Sequence, residues 1–286
     1  MNFEKLREME EFTQAMFNRI LAFQEREHAA WDPEQPFDQR IKELPLHYLV
    51  FSNADRDPAV HEPTVAHYYP LRWELWTIAE YARQVAQAPV VCDAHARNGF
   101  IGSLLAREGV KVVGFRDPHT RPNQIEQFYD PAVYELRDSA FAEADCDCDV
   151  VFSSWMPAGE DITEAILAKR PKLVVYVFTQ HVNEETGEPQ TGSDFAFGQG
   201  LPDHYRMVDE WSVTRPADLF HEVWPDLTGN IEETRWVRIF ADEGYHDLKV
   251  DRSQAPSERY DWENELEMAQ LAHAAKQELR NRGVRV

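Results

Sequence analysis

An acidic side chain followed by a short polar turn occupies residues 93–99, within the run VVCDAHARNGF. Asp93 ends an apolar run and Gly99 precedes the next one, which predicts a buried strand, a loop and the start of a helix. A helix N-terminus presents unpaired N–H groups and a positive dipole end, and glycine lets a ligand approach the backbone. The segment therefore predicts a site for a carboxylate, a phosphate or a similarly polar ligand.

Polar residues also follow the later apolar runs KVVGF, AVYELRD and CDVVFSS. The carboxyl ends of strands in an open α/β sheet are where ligands bind. We expect the turn from Asp93 to Gly99 to form one wall of a nucleoside-sized cavity shared with Asp138 and Ser153. The residues at these strand ends are Arg116, Asp117, Asp138, Ser139, Ser153, Ser154 and Trp155.

Several of these residues also have a purely structural interpretation. Asp93 could cap the following turn, and Asp117 before Pro118 is a typical turn former. Trp155 could anchor the core or contact substrate. Arg97 could pair with a surface acid or hold a ligand carboxylate in a bidentate fork.

His181 follows the run LVVYVF, again beyond a strand end. Imidazole titrates near neutral pH, which makes His181 the candidate general base, and a solvated loop histidine is the alternative. The loop TGSDFAFGQG at residues 191–200 could act as a lid. Tyr68, Tyr69, Trp73 and Trp76 could close over a ligand, although helix packing explains the two tryptophans.

The elements that position these residues divide the chain into three parts. Residues 1–85 predict a helical extension, with one amphipathic helix over 3–30 and a second from about His67 to Gln87. Residues 86–250 alternate between strand and helix patterns, which is typical of parallel βαβ units. Residues 251–286 predict a C-terminal helix. The segments YRMVDEWSVT and RWVRIFADE alternate in polarity and predict an antiparallel pair at the sheet edge.

The sequence thus predicts an α/β fold with a doubly wound, mostly parallel sheet of about seven strands. From 86 to 245 it resembles the class I S-adenosylmethionine-dependent methyltransferases, whose first motif is an acidic residue followed by glycines at the second, fourth and sixth positions. Here those positions are His95, Arg97 and Gly99, so only the last glycine is present.

The resemblance implies S-adenosylmethionine as cofactor, and it assigns roles to residues at matching positions. Asp117 would bind the ribose, and Asp138 and Ser139 would contact the adenine. Trp155, in the motif after the fourth strand, would contact the substrate or the methyl group. The remaining cofactor-binding positions would be Asp93, Ala94, His95, Arg97, Gly99, Ser153 and Ser154.

Three functions compete on these residues. The first is methyl transfer to a small-molecule acceptor, in which the protein mainly positions the reactants. The second is a catalytically silent relative that binds a partner or forms a dimer, which the residues His95 and Arg97 favour. The third is an NAD(P)-linked oxidoreductase, because Ala94, Ala96 and Gly99 occupy the G-x-G-x-x-G spacing and Arg116 could meet a 2′-phosphate.

Composition restricts the partners. The net charge of −22 opposes binding to a nucleic-acid backbone, so we expect a small-molecule substrate and no nucleic acid. The apolar runs are shorter than the roughly 20 residues that a membrane helix needs. We expect a cytoplasmic protein without a membrane span, with a homo-oligomer left open. The three cysteines, Cys92, Cys146 and Cys148, predict reduced thiols and no metal, because the C-x-C has no second ligand pair.

Overall fold

Seven strands form one sheet in the described part of the chain. The structure is a computed structural model that describes residues 3–45, 65–119, 125–182, 187–214 and 234–284. The strands are β1 (Val90–Asp93), β2 (Lys111–Arg116), β3 (Tyr134–Asp138), β4 (Val150–Ser154), β5 (Leu173–Phe178), β6 (Arg206–Thr214) and β7 (Thr234–Ala241).

The sheet order is β3-β2-β1-β4-β5-β7-β6. The first five strands in this order run parallel, with Asp93 beside Gly114 of β2 and Phe152 of β4. The strand β7 pairs antiparallel with both β5 and β6. The doubly wound sheet with an antiparallel terminal pair is therefore confirmed, and the order reverses between β1 and β4.

The apolar composition of the central strands follows from burial on both faces. All residues of β4 and β5 are buried, as expected for parallel strands covered by helices on each side. Because successive side chains of a strand point to opposite faces, Val91 and Cys92 belong to two different hydrophobic clusters. The strand β7, between β5 and β6, alternates between buried and half-buried residues.

Six α-helices of the described residues surround the sheet, and their ends differ from the sequence pattern in three places. The first helix ends at Gln24 rather than near residue 30, and the last begins at Asp261. The second long helix begins at Arg72 rather than near His67, because Pro70 disfavours helical geometry at the residue before it. The helices are α1 (Phe3–Gln24), α2 (Phe37–Ile41), α3 (Arg72–Val85), α4 (Phe100–Arg107), α5 (Thr163–Lys169) and α6 (Asp261–Asn281).

Both ends of the chain pack on the same face of the sheet as α3 and α4. Phe23 and Trp262 are fully buried in the cluster that contains Val91. The indole N–H of Trp262 donates a 2.7 Å hydrogen bond to the carbonyl of Pro70. The Glu263 carboxylate accepts from the backbone N–H of Arg72 at the start of α3. No helix among the described residues combines the length and apolarity that crossing a bilayer requires.

Candidate active site

In the loop between β1 and α4, backbone N–H groups donate hydrogen bonds to the neighbouring strands. The N–H of Ala94 donates to Phe152 of β4, and that of Ala96 donates to Phe115 of β2. Gly99, at φ 88°, precedes α4, and the Asn98 side chain accepts from the N–H of Phe100. Since these amides already have acceptors, a ligand at this loop must be held largely by side chains.

Asp93 lies at the carboxyl end of the central strand and is almost fully buried. Its Oδ2 accepts a 3.1 Å hydrogen bond from the Tyr134 hydroxyl, while Oδ1 has no hydrogen-bond partner among the described residues. Burial raises the pKa of Asp93 to about 7, against the opposing effects of the Tyr134 hydrogen bond, the nearby backbone N–H of His95 and the Arg97 charge. The carboxyl group is therefore only partly ionised at neutral pH.

Two glycines make room for the Tyr134 ring. A Cβ at Gly114 would lie 1.8 Å from the Tyr134 hydroxyl oxygen, and one at Gly102 would lie 2.3 Å from Oδ2 of Asp93. Any larger residue at either position would collide with this pair. The glycines of β2 and α4 thus fix the contact between Asp93 and Tyr134.

His95 reaches across to β4. Its Nδ1 lies 3.2 Å from Oγ of Ser153, and its Nε2 lies 3.7 Å from Oε2 of Glu160. Burial lowers the pKa of His95, which Glu160 partly opposes and the Arg97 charge reinforces. The imidazole is accordingly neutral at pH 7.

Arg97 also reaches β4, where Nη2 donates a 3.2 Å hydrogen bond to the carbonyl of Trp155. Arg97 and Trp155 have φ values of 49° and 56°, in the left-handed region that L-residues rarely adopt. Such conformations cost about 1–3 kcal/mol each and cluster at functional sites. The two bridges, from His95 to Ser153 and from Arg97 to Trp155, join the carboxyl ends of β1 and β4, where the strand order reverses.

An aromatic group lies next to these two bridges. Trp155 is buried against His67, whose ring is nearly parallel at a centroid distance of 5.8 Å, and against Tyr68. The Tyr68 hydroxyl and Ser154 Oγ share a 2.8 Å hydrogen bond. Within the described part of the chain, Nε2 of His67 has no hydrogen-bond partner. Burial, followed by the Arg97 charge, lowers the pKa of His67 well below its usual range.

A buried ion pair supports the aromatic group from behind. Arg235 of β7 pairs with Glu74 of α3, and both side chains are almost fully buried. The Arg235 guanidinium lies 4.5 Å from the centre of the Tyr68 ring. The other Glu74 oxygen accepts from the Trp211 indole N–H. The Tyr68 ring is thereby held against Ser154.

The expected ribose and adenine contacts lie further along the same edge of the sheet. Asp117 is exposed, and its carboxylate accepts from the N–H of His119, which is the geometry of a turn former. Asp138 is exposed and forms an ion pair with Arg116, while Ser139 is half-buried. Arg116, the candidate partner for a 2′-phosphate, is therefore already engaged by a carboxylate.

His181 lies three residues beyond β5 and is half-buried, and its backbone N–H donates a hydrogen bond to Thr179 Oγ1. Its role as general base stays a prediction. The loop 191–200 packs against the protein, because Phe197 stacks on Phe178 at 4.1 Å and the N–H of Gly192 donates to Met156. Phe195 alone among its large apolar side chains is exposed.

The structure thus brings together Asp93, His95, Arg97, Ser153 and Trp155, and it leaves Asp117 and Asp138 at the exposed edge. Sequence reasoning missed Asn98, His67, Tyr134 and Glu160. The only signal for His67 was its place beside the aromatic pair Tyr68 and Tyr69. Nothing in the sequence alone pointed to Tyr134 or Glu160.

Comparisons with known proteins give only distant structural likenesses. Neither the family models nor the curated proteins produce a match. The chain is similar to magnesium protoporphyrin IX methyltransferase from Synechocystis at 12% identity, covering 59% of this chain and 83% of that one, with a TM-score of 0.38.

Two further solved structures are similar to the same degree. A 1,6-didemethyltoxoflavin-N1-methyltransferase from Burkholderia thailandensis has 14% identity, covers 59% and 76% of the two chains and has a TM-score of 0.38. An rRNA methylase from Streptococcus thermophilus has 12% identity, covers 58% and 96% and has a TM-score of 0.34. The assignment of the fold rests on the strand order and directions of this chain.

Proposed function

We propose that this protein transfers a methyl group from S-adenosylmethionine to a small-molecule acceptor in the crevice between β1 and β4. The observation that carries the proposal is the buried Asp93, whose Oδ1 finds no hydrogen-bond partner in the ranges that the structure describes, beside Arg97 at the point where the strand order reverses. In open α/β sheets, ligands bind at such a switch point.

The side chains present suit the polar ends of that cofactor. The Arg97 guanidinium is the group to hold its carboxylate, since guanidinium and carboxylate form charge-assisted pairs. Asp93, with one free oxygen, suits its cationic groups. Asp117 and Ser139, at the ends of β2 and β3, are the candidates for the ribose and the adenine. When bound, S-adenosylmethionine supplies an electrophilic methyl group on a sulfonium centre.

On the acceptor side, His67 and Trp155 are the candidate residues for accepting a proton and for excluding water. The buried His67 imidazole stays neutral, so its free Nε2 is able to accept a proton from an acceptor hydroxyl or amine. The Trp155 ring excludes water from the same place. His181 remains the second candidate base, one loop further out.

We assign a small-molecule acceptor because the net charge of −22 disfavours approach of a polyanion. The test is transfer of label from tritiated S-adenosylmethionine into a cell extract, separated into small molecules and RNA. We expect label among the small molecules. Label confined to RNA would contradict this acceptor class and leave the methyl transfer standing.

One observation favours a second candidate, a catalytically silent relative. The side chains of His95 and Arg97 cross the crevice and bond to Ser153 and Trp155, where glycines would leave space. A ligand at this place must displace or use these two side chains. These two side chains therefore either are already positioned to bind the cofactor or block its site; the second case is called the plug.

Isothermal titration with S-adenosylmethionine and S-adenosylhomocysteine separates these candidates. We expect both to bind the wild type, and we expect Arg97→Gly to weaken binding at least about tenfold because the charged contact is lost. Arg170→Gly is the matched control, since Arg170 has the same φ of 49° but lies at the end of α5. Binding by Arg97→Gly alone would establish the plug, and no binding by any of the proteins would remove the enzyme function.

A further inference from the structure

All three cysteines of the chain meet on the face of the sheet opposite to Asp93. Their Sγ atoms lie within 4.8 Å of one another, and those of Cys92 and Cys146 are 3.3 Å apart. Cys92 is buried, and the other two are half-buried. A chain with few cysteines that gathers all of them at one point has the ligand set for a thiophilic ion.

Strand pairing and local geometry explain why the cysteines converge. Cys92 lies beside Val151 of β4. Residues 146–148 immediately precede β4, and Asp149 fixes them there by accepting from the N–H of Val90 and by pairing with Lys172. In an extended segment, alternate side chains share a side. Cys146 and Cys148 therefore both face Cys92, whereas Asp147 between them is exposed.

We propose that Cys92, Cys146 and Cys148 bind one divalent ion of the zinc class through three thiolates. A tetrahedral ion with Zn–S bonds of about 2.3 Å places its sulfurs about 3.8 Å apart. The separations of 3.3 Å to at most 4.8 Å bracket that value, so the ion fits after side-chain adjustments of up to about one ångström.

The fourth position belongs to water. No histidine, aspartate or glutamate of the described ranges joins the three cysteines within ligand distance. Binding breaks three S–H bonds, forms three metal–sulfur bonds and releases up to three protons to solvent, with no change of oxidation state. The resulting site carries one net negative charge.

Nearby charge compensates for that excess. The Lys169 ammonium donates to the carbonyl of Ala144 at 2.5 Å and lies 4.9 Å from the centre of the Phe141 ring, at the start of the cysteine segment. The ion would tie β1 to the segment before β4.

Cobalt titration of the reduced, metal-free full chain tests the proposal. We expect one equivalent of Co²⁺ to produce thiolate charge-transfer and tetrahedral d–d absorption, and one equivalent of Zn²⁺ to abolish both. Cys146→Ser and Cys148→Ser lie in a half-buried segment, and each should weaken binding at least about tenfold. Asp147→Asn is the control from the same segment and should bind as the wild type does.

Thermal unfolding gives a second measurement that does not depend on spectra. Zinc should raise the Tm of the wild type and of Asp147→Asn, and it should leave that of Cys148→Ser unchanged. Absence of charge-transfer absorption at one equivalent would overturn the proposal. So would a Cys92–Cys146 disulfide in protein purified without reductant, seen as one free thiol per chain. Neither outcome bears on methyl transfer, because Asp93 lies on the other face.

Discussion

The Tyr134 hydroxyl donates a 3.1 Å hydrogen bond to the buried carboxyl group of Asp93, across 41 positions of sequence. Burial nevertheless dominates and raises the pKa of Asp93 from 3.8 to about 7. The folded state holds this proton more tightly than the unfolded state does. Asp93 therefore lowers the stability of the fold progressively as the pH rises from about 4 to about 7.

Asp93→Asn should remove this pH dependence while keeping an oxygen that accepts from Tyr134. Relative to the variant, the wild type should lose about 2 kcal/mol between pH 5.5 and pH 8, as measured by urea unfolding at both values. A wild-type protein that gains stability relative to Asp93→Asn over this range would show that the carboxylate is favoured in the fold.

His67 should show the opposite dependence. Because burial and Arg97 lower its pKa, the folded state excludes a proton that the unfolded state accepts, and stability is lost as the pH falls below about 6.5. Nitrogen-15 NMR should find the His67 ring neutral at pH 6, and Arg97→Met should raise its pKa. A charged His67 ring at pH 6 would contradict the burial of this group.

Replacing only one partner of the Glu74–Arg235 ion pair should strongly destabilise the fold. Arg235→Met leaves a buried carboxylate without its partner, so we expect a loss of about 3–5 kcal/mol in the free energy of unfolding. The double variant Glu74→Leu, Arg235→Met should recover much of that loss. Arg137→Ala, in an exposed pair with Glu135, is the control and should cost less than about 1 kcal/mol. Equal losses of unfolding free energy in Arg235→Met and Arg137→Ala would refute the prediction that the buried pair matters more than the exposed one.

Gly114→Ala should destabilise the fold by about 3 kcal/mol, because the added methyl group would collide with the Tyr134 ring. Gly244→Ala is the matched control, since a Cβ there meets no atom within 4 Å. Denaturant midpoints of the two variants measure the difference. A Gly114→Ala protein as stable as the control would mean that Tyr134 leaves Asp93 readily.

The sheet was predictable from sequence because each of its buried strands is a short apolar run between polar turns. That pattern reflects local periodicity, and the carboxyl ends of the strands follow from it, so the sequence predicts the positions of Asp93 and Ser153 at the ends of β1 and β4. The start of α3 was placed too early because the aromatic residues 68–69 continue the helical spacing, whereas Pro70 stops it.

Contacts that depend on register could not be read from the sequence in this way. Tyr134 reaches Asp93 only because glycine lies opposite Asp93 on β2. Cys92 meets Cys146 from 54 positions away through the pairing of β1 with β4. The C-x-C alone predicted no metal. The third thiol, that of Cys92, belongs to another strand, and the face to which it points is known only once the sheet is known.

The first turn of α6 has a consequence for how the protein should be prepared. Trp262 and Glu263 hold Pro70 and Arg72, and the same short segment carries His67 and Tyr68. A version trimmed to residues 86–250 would lack the rings of His67 and Tyr68 and the α6 contacts that hold their segment in place. Titrations on such a fragment would report the affinity of an incomplete binding surface, so full-length material is needed from the first experiment.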